Sequence, residues 1–148
     1  MSTNNKQIAI GSDHAGFSYK QEMIDFLTPL GYTVHNFGTN NAVSVDYPDF
    51  AHPTANAVEN GICKFGILIC GSANGVAITA NKHQKIRAAI CWNAEVAQLA
   101  RQHNDANIIC LPARFTTIDS CKEMVKLFLE TAFEGGRHGT RVNKIACI

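Results

Sequence analysis

Phe65-Gly-Ile-Leu-Ile-Cys70 is a run of six residues with no charged side chain, and it empties into the turn-forming segment Gly71-Ser-Ala-Asn-Gly75. A strand with one wet face alternates apolar and polar residues. A strand without alternation must be covered on both faces, as in a parallel sheet between two helical layers. That requirement organises the rest of the chain.

Four further strands are predicted, over 7–11, 32–37, 86–92 and 107–111. Helical patterns separate them. Met23, Phe26, Leu27 and Leu30 recur at helical spacing and Gly31 closes that helix. A polar loop from Gly38 to Pro48 leads to a helix over 49–60, with Pro53 expected in its first turn and Gly61 ending it. A helix follows the glycine-rich turn and runs through Ala80. Asn93 is placed to cap the next helix, with Glu95 near its N-terminus. Thr116 and Asp119 read as a capping pair for the last helix. Its apolar stripe is Ile118, Cys121, Val125, Phe128, Leu129 and Ala132, and Gly135-Gly136 ends it. The expected fold is therefore α/β, a Rossmann-like three-layer α/β/α sandwich around a five-stranded parallel sheet.

At 148 residues the chain fits one domain, 1–148, with 136–148 as a C-terminal tail expected to contact a partner subunit. A net charge of +1 and the lack of any Lys/Arg run exclude the electrostatic footprint of nucleic-acid binding. The N-terminus has no signal-peptide core and no apolar run could span a bilayer, so no membrane partner and a cytoplasmic location are expected. The six cysteines include no Cys-x-x-Cys pair, so they are expected to be free thiols and mostly small core residues.

Ligands of such folds bind beyond the carboxyl ends of the strands. That rule selects Ser12-Asp13-His14, Cys70-Gly71-Ser72 and the segment after Trp92. The loop after Cys70 is no Walker loop, because no Gly-Lys-Ser/Thr follows. Nor is it a Cys-x5-Arg phosphatase loop, because Val76 stands in the arginine position. Helix-terminus N–H groups beside Cys70 predict a lowered thiol pKa. Read alone, the loop suits a buried cysteine before a tight turn equally well. Asp13 alone is a plain helix cap, and His103 alone is a helix C-terminal residue complementing the dipole. Arg137 and Arg141 share a face if their stretch is helical, and two such guanidinium groups suit a phosphate. A solvated basic tail is the other reading.

Taken together, the segments resemble one family: Gly11-Ser-Asp-His-Ala-Gly16, Asp46-Tyr-Pro48, Ile69-Cys-Gly-Ser72 with Ala80-Asn-Lys82, Ile86-Arg-Ala88, Ala97-Gln-Leu-Ala-Arg-Gln-His-Asn-Asp105, and Glu134-Gly-Gly-Arg-His138 with Arg141. They are similar, in order and over nearly the whole chain, to the type B ribose-5-phosphate isomerases, which group with galactose-6-phosphate isomerase subunits. The resemblance implies interconversion of ribose 5-phosphate and ribulose 5-phosphate through an enediolate, no metal or organic cofactor, and a homodimer or dimer-built homotetramer. It implies Cys70 as the base, Ser72 as the hydroxyl moving protons between O1 and O2, and His103 opening the furanose ring with Asp13 nearby. Gly71, Asn74 and Gly75 would steady the enediolate, Asn104 would bind the sugar, and His14, Arg137 and Arg141 would bind phosphate, with Arg114 also at the site. Val76 replaces the Glu base of another branch, and Ala73 replaces a common glycine. A hexose 6-phosphate isomerase and a sugar-phosphate sensor without turnover are the alternative functions. A sensor would have no need of Cys70 with Ser72.

Overall fold

The computed structural model describes residues 3–147. Met1, Ser2 and Ile148, the outer limits of the expected domain and tail, lie outside the described residues. Five parallel strands form one sheet: β1 (Gln7–Ser12), β2 (Thr33–Asn36), β3 (Phe65–Cys70), β4 (Ala88–Ile90) and β5 (Ile108–Pro112), in the order β2-β1-β3-β5-β4. The helices are α1 (Phe17–Leu27), α2 (Pro48–Glu59), α3 (Asn74–Ala80), α4 (Ala94–Asn104), α5 (Ile118–Glu130) and α6 (Arg137–Val142).

Strand β3 sits in the middle and all six of its residues are buried. Phe65, Ile67 and Ile69 face a layer made by Met23 and Leu27 of α1, Ala97 and Ala100 of α4, and Val125 and Phe128 of α5. Leu68 and Cys70 face the opposite layer, where Ala51, Ala55 and Val58 of α2 meet Val76, Ala77 and Ala80 of α3. Each buried Ile, Leu or Phe contributes about 1.5–3 kcal/mol, so a strand of this composition is stable only where both layers exist. The chain leaves β1 toward β2 and then crosses back past β1 to reach β3. The carboxyl ends of β1 and β3 therefore flank a topological switch point, where the sheet opens a crevice.

Four local details differ from the sequence expectation. Helix α2 begins at Pro48, so Pro48 takes the first turn and Pro53 lies inside the helix. Pro53 has no N–H for the Asp49 carbonyl, but Asp49 lies at the exposed start of the helix, where water can serve that group. Strand β4 covers only three residues of the expected 86–92. Side chains supplement its backbone ladder to β5: Asn107 Oδ1 accepts from Arg87 N at 2.8 Å, and Asn81 brackets Ala88 on the free edge with bonds of 2.8 and 3.0 Å. Thr117, not Thr116, caps α5 by accepting from Ser120 N at 3.1 Å. Helix α5 ends at Glu130, ahead of Gly135-Gly136, and those glycines instead introduce α6 within the expected tail. No helix among the described residues is long and apolar enough to cross a membrane.

Candidate active site

The crevice at the β1/β3 switch point is a cleft of about 390 Å³. Asp13, His14 and Ala15 from the end of β1 line it, with Cys70, Gly71, Ser72 and Gly75 from the β3–α3 turn, Arg114 and Phe115 after β5, and Tyr47 before α2. The turn is tight because Ala73 holds a left-handed conformation at φ 66°. For an L-residue that costs roughly 1–2 kcal/mol. It swings the start of α3 so that the N–H groups of Ser72, Ala73 and Val76 serve the Cys70 sulfur. Ser72 stays exposed and its Oγ accepts from Asn74 N and Nδ2, both at 3.3 Å.

Cys70 is 5% exposed. Burial pushes its thiol above the ordinary value. The Val76 N–H pulls the other way, and the negative charge of Asp13 adds to the rise. The expected lowering is therefore overturned in the single chain: desolvation outweighs the helix-terminus donors. Asp13 is turned back on the loop, where its Oδ1 accepts from Gly16 N at 3.1 Å. Gly16 passes so near β3 that a Cβ there would lie 2.5 Å from the Ile69 carbonyl oxygen. That approach brings the two loops of the cleft together. His14 Nδ1 accepts from Val45 N at 3.2 Å, so its neutral ring carries the proton on Nε2 as a donor.

The other expected site residues lie elsewhere. Helix α4 starts beyond the carboxyl end of β4 and returns the chain to the start of β5, so His103 and Asn104 sit at the amino edge of the sheet. A strand of five or six residues spans about 17–20 Å, and this length separates them from Cys70. Arg101 locks that corner: it is 6% exposed and donates to Asp105 Oδ1 at 2.8 Å, to the Ala106 carbonyl at 2.7 Å and to the Thr131 carbonyl at 3.1 Å. Glu134 N donates to the Gln102 carbonyl, which draws the segment before α6 against the end of α4. His138 then stacks on His103, with ring centroids 4.2 Å apart and planes 10° from parallel. Glu134 Oε1 lies 3.8 Å from His103 Nε2 and 3.6 Å from His138 Nε2. Burial lowers the His138 pKa, and His103, Arg137 and Arg141 lower it further against the opposing effect of Glu134. Arg137 and Arg141 are exposed and fall at i, i+4 in α6.

The expected site residues thus fall into two groups within one chain. The structure brings together Asp13, His14, Cys70, Gly71, Ser72, Gly75 and Arg114, with Asn74 adjoining Ser72. It gathers His103, Asn104, Arg137 and Arg141 at the far edge. Sequence reasoning passed over Tyr47, which roofs Gly75, and the Glu134–His138 pair that holds His103. The Asp46-Tyr47-Pro48 segment was the available signal for Tyr47. For Glu134 and His138 the signal was the Glu134-Gly-Gly-Arg-His138 segment, which gave neither of them a role. His103, Glu134 and His138 place donor atoms within 4.8 Å of one another, a grouping that spacing along the chain did not suggest.

The chain matches the family model described as Ribose/Galactose Isomerase over residues 8–145. It is 42% identical over 143 residues to ribose-5-phosphate isomerase B of Escherichia coli K12, covering 97% of this chain and 96% of that protein. Among solved structures, ribose-5-phosphate isomerase B of Clostridium thermocellum superposes with a TM-score of 0.93 at 50% identity, covering 94% of each chain. The Mycoplasma genitalium enzyme, solved with bound ribulose-5-phosphate, gives a TM-score of 0.90 at 41% identity, covering 94% of this chain and 93% of that one. With a family model spanning nearly its whole length and a relative of this identity, the chain belongs to the ribose/galactose isomerase family.

Proposed function

We propose that this protein is an aldose–ketose isomerase interconverting D-ribose 5-phosphate and D-ribulose 5-phosphate. The observation that carries the reading is the buried Cys70 thiol at the switch-point crevice, with three backbone N–H groups converging on it and the Ser72 hydroxyl beside it. A proton must leave C2 of the open-chain aldose and return to C1. Cys70, as thiolate, takes that proton, and the electron pair left at C2 forms the C1–C2 double bond. Negative charge then accumulates on O1, where fixed donors at Gly71, Asn74 and Gly75 stabilise it better than mobile water. Ser72 passes a proton between O2 and O1, and Cys70 returns the carbon-bound proton to C1. A positioned base of this kind contributes roughly 10²–10⁴-fold in rate.

The substrate arrives mainly as a closed furanose, so ring opening needs an acid and a base of its own. His103 suits this task with Asp13, yet the two lie at opposite edges of the sheet in one chain. The reading therefore requires two chains, each offering its Cys70 edge to the other's His103 edge. Asn104, Arg137 and Arg141 of the second chain then reach the sugar and its phosphate, and His14 donates from Nε2. Two arginines that repel each other on α6 are reconciled by a bound dianion. Incubation with ribose 5-phosphate should yield ketose at a rate proportional to enzyme. No ketose from freshly reduced, dimeric protein would overturn the assignment.

A further inference from the structure

Lys20 is fully buried, at 0% exposure, and sits in the first turn of α1. A cation there faces both desolvation and the positive end of the helix dipole. Its hydrogen-bond partners are neutral amides: Nζ donates to Asn36 Oδ1 at 3.0 Å and to Asn40 Oδ1 at 3.3 Å. Burial accordingly pushes its ammonium below the ordinary lysine value. Among the described residues no carboxylate forms an ion pair with Lys20, so its contribution lies in what its two amide contacts organise.

It organises the root of the 38–47 loop. Asn36 Nδ2 donates to Asn40 Oδ1 at 3.1 Å, and Asn36 Oδ1 accepts from Gly38 N at 2.9 Å. Gly38 and Thr39 bond in turn to Ser12, the residue before Asp13-His14, at 2.8 and 2.9 Å. The loop then runs on through Val45, whose N–H fixes His14 Nδ1, to Tyr47 above Gly75. The geometry points to Lys20 as a positioning residue: through Asn36 and Asn40 it sets where the loop leaves the sheet, and so where Val45 and Tyr47 stand over His14 and the Cys70 cleft. The catalytic consequence rests on the isomerase reading, but the positioning does not.

Lys20→Met is the direct test. In that variant Asn36 Oδ1 keeps Gly38 N and Asn40 Oδ1 keeps Asn36 Nδ2, so no amide oxygen is orphaned. Hydrogen exchange at the Val45 amide should accelerate by about tenfold or more as the loop opens locally. Nitrogen-15 spectra should show His14 losing its Nε2–H preference. KM for ribose 5-phosphate should rise about tenfold with kcat changed less than about threefold, since a lost phosphate donor affects ground state and transition state alike. Asn40→Ala, on an exposed residue, should move the same readouts in the same direction and decides the matter if Lys20→Met does not fold. Unchanged Val45 exchange and unchanged His14 tautomer overturn the proposal. Wild-type protein without isomerase activity would overturn the functional reading alone, because exchange and tautomer still report on Lys20.

Discussion

The ring of Tyr47 lies against the backbone of Gly75, so that a Cβ at position 75 would fall 2.5 Å from the phenol Cζ. Gly75 is the second residue of α3, where alanine favours a helix over glycine by about 1 kcal/mol. Gly75→Ala should therefore keep or raise Tm while displacing Tyr47 from the cleft and lowering kcat/KM at least about tenfold, a loss of about 1.4 kcal/mol in transition-state binding. Thermal melts and initial rates on the same preparation check this. Unaltered turnover would show that the Tyr47 roof is dispensable.

Cys70→Ala should fold normally, bind ribose 5-phosphate and lose roughly 10²–10⁴-fold in kcat. Because burial raises the Cys70 thiol above its ordinary value, thiolate is scarce at neutral pH. For wild-type protein kcat/KM should rise with pH from about 7 to 9, approaching tenfold per unit. Alkylation of Cys70 should follow the same pH trend and be slowed by substrate. A rate that falls over this pH range would remove Cys70 as the base.

The proposed two-chain site predicts complementation between damaged chains. Cys70→Ala and Arg137→Ala proteins should each be poorly active, and subunit exchange between them should restore activity. A mixed dimer has one intact site and one doubly damaged site. No recovery after proven exchange would place Cys70 and Arg137 in the same chain's site or leave α6 outside it.

Stability should decline in alkali. Cys63, Cys91 and Cys121 are pushed up to about 11, 12 and 11 by burial, and Cys110 well beyond the ordinary thiol range. The unfolded chain ionises its thiols from about pH 8.5 while the folded chain holds them neutral. The folded state then binds more protons. The stabilisation is complete below about pH 8.5 and is lost at about 1.4 kcal/mol per pH unit per thiol until each folded value is reached. Urea titrations between pH 7 and 10 under reducing conditions should show this slope, and Cys121→Ala should make it shallower. A flat profile would mean that the thiols ionise as readily in the fold as in the unfolded chain.

The sheet was legible because β3 carries its environment in its composition, and the Asn93 cap because one side chain suffices to make it: its Oδ1 accepts from Val96 N at 2.9 Å. Details set by neighbours were not legible. The start of α2 moved to Pro48, the cap of α5 moved by one residue to Thr117, and β4 covers only three residues, with Asn81 and Asn107 side chains bonding its free edge and its entry. In the candidate site, the helix N-terminus at Cys70 was readable, but the net direction of its pKa shift was not. That direction depends on how deeply α2 and α3 bury the sulfur. The split between Cys70 and His103 follows from strand–helix alternation alone, since a helix that leaves one sheet edge delivers its last residues to the other. The Glu134–His138 clamp on His103 depends on how the chain turns after α5, which no periodicity encodes.

That alternation has a consequence for how activity responds to dilution. The hydrophobic layers close within one chain, while the His103 corner and the Cys70 crevice face away from each other across the sheet. On the two-chain reading, a lone chain is fully folded and catalytically silent. On that reading, specific activity should depend on protein concentration through the dissociation constant of the pair, with no change in circular dichroism as it falls. Below that constant the rate should scale with the square of total protein.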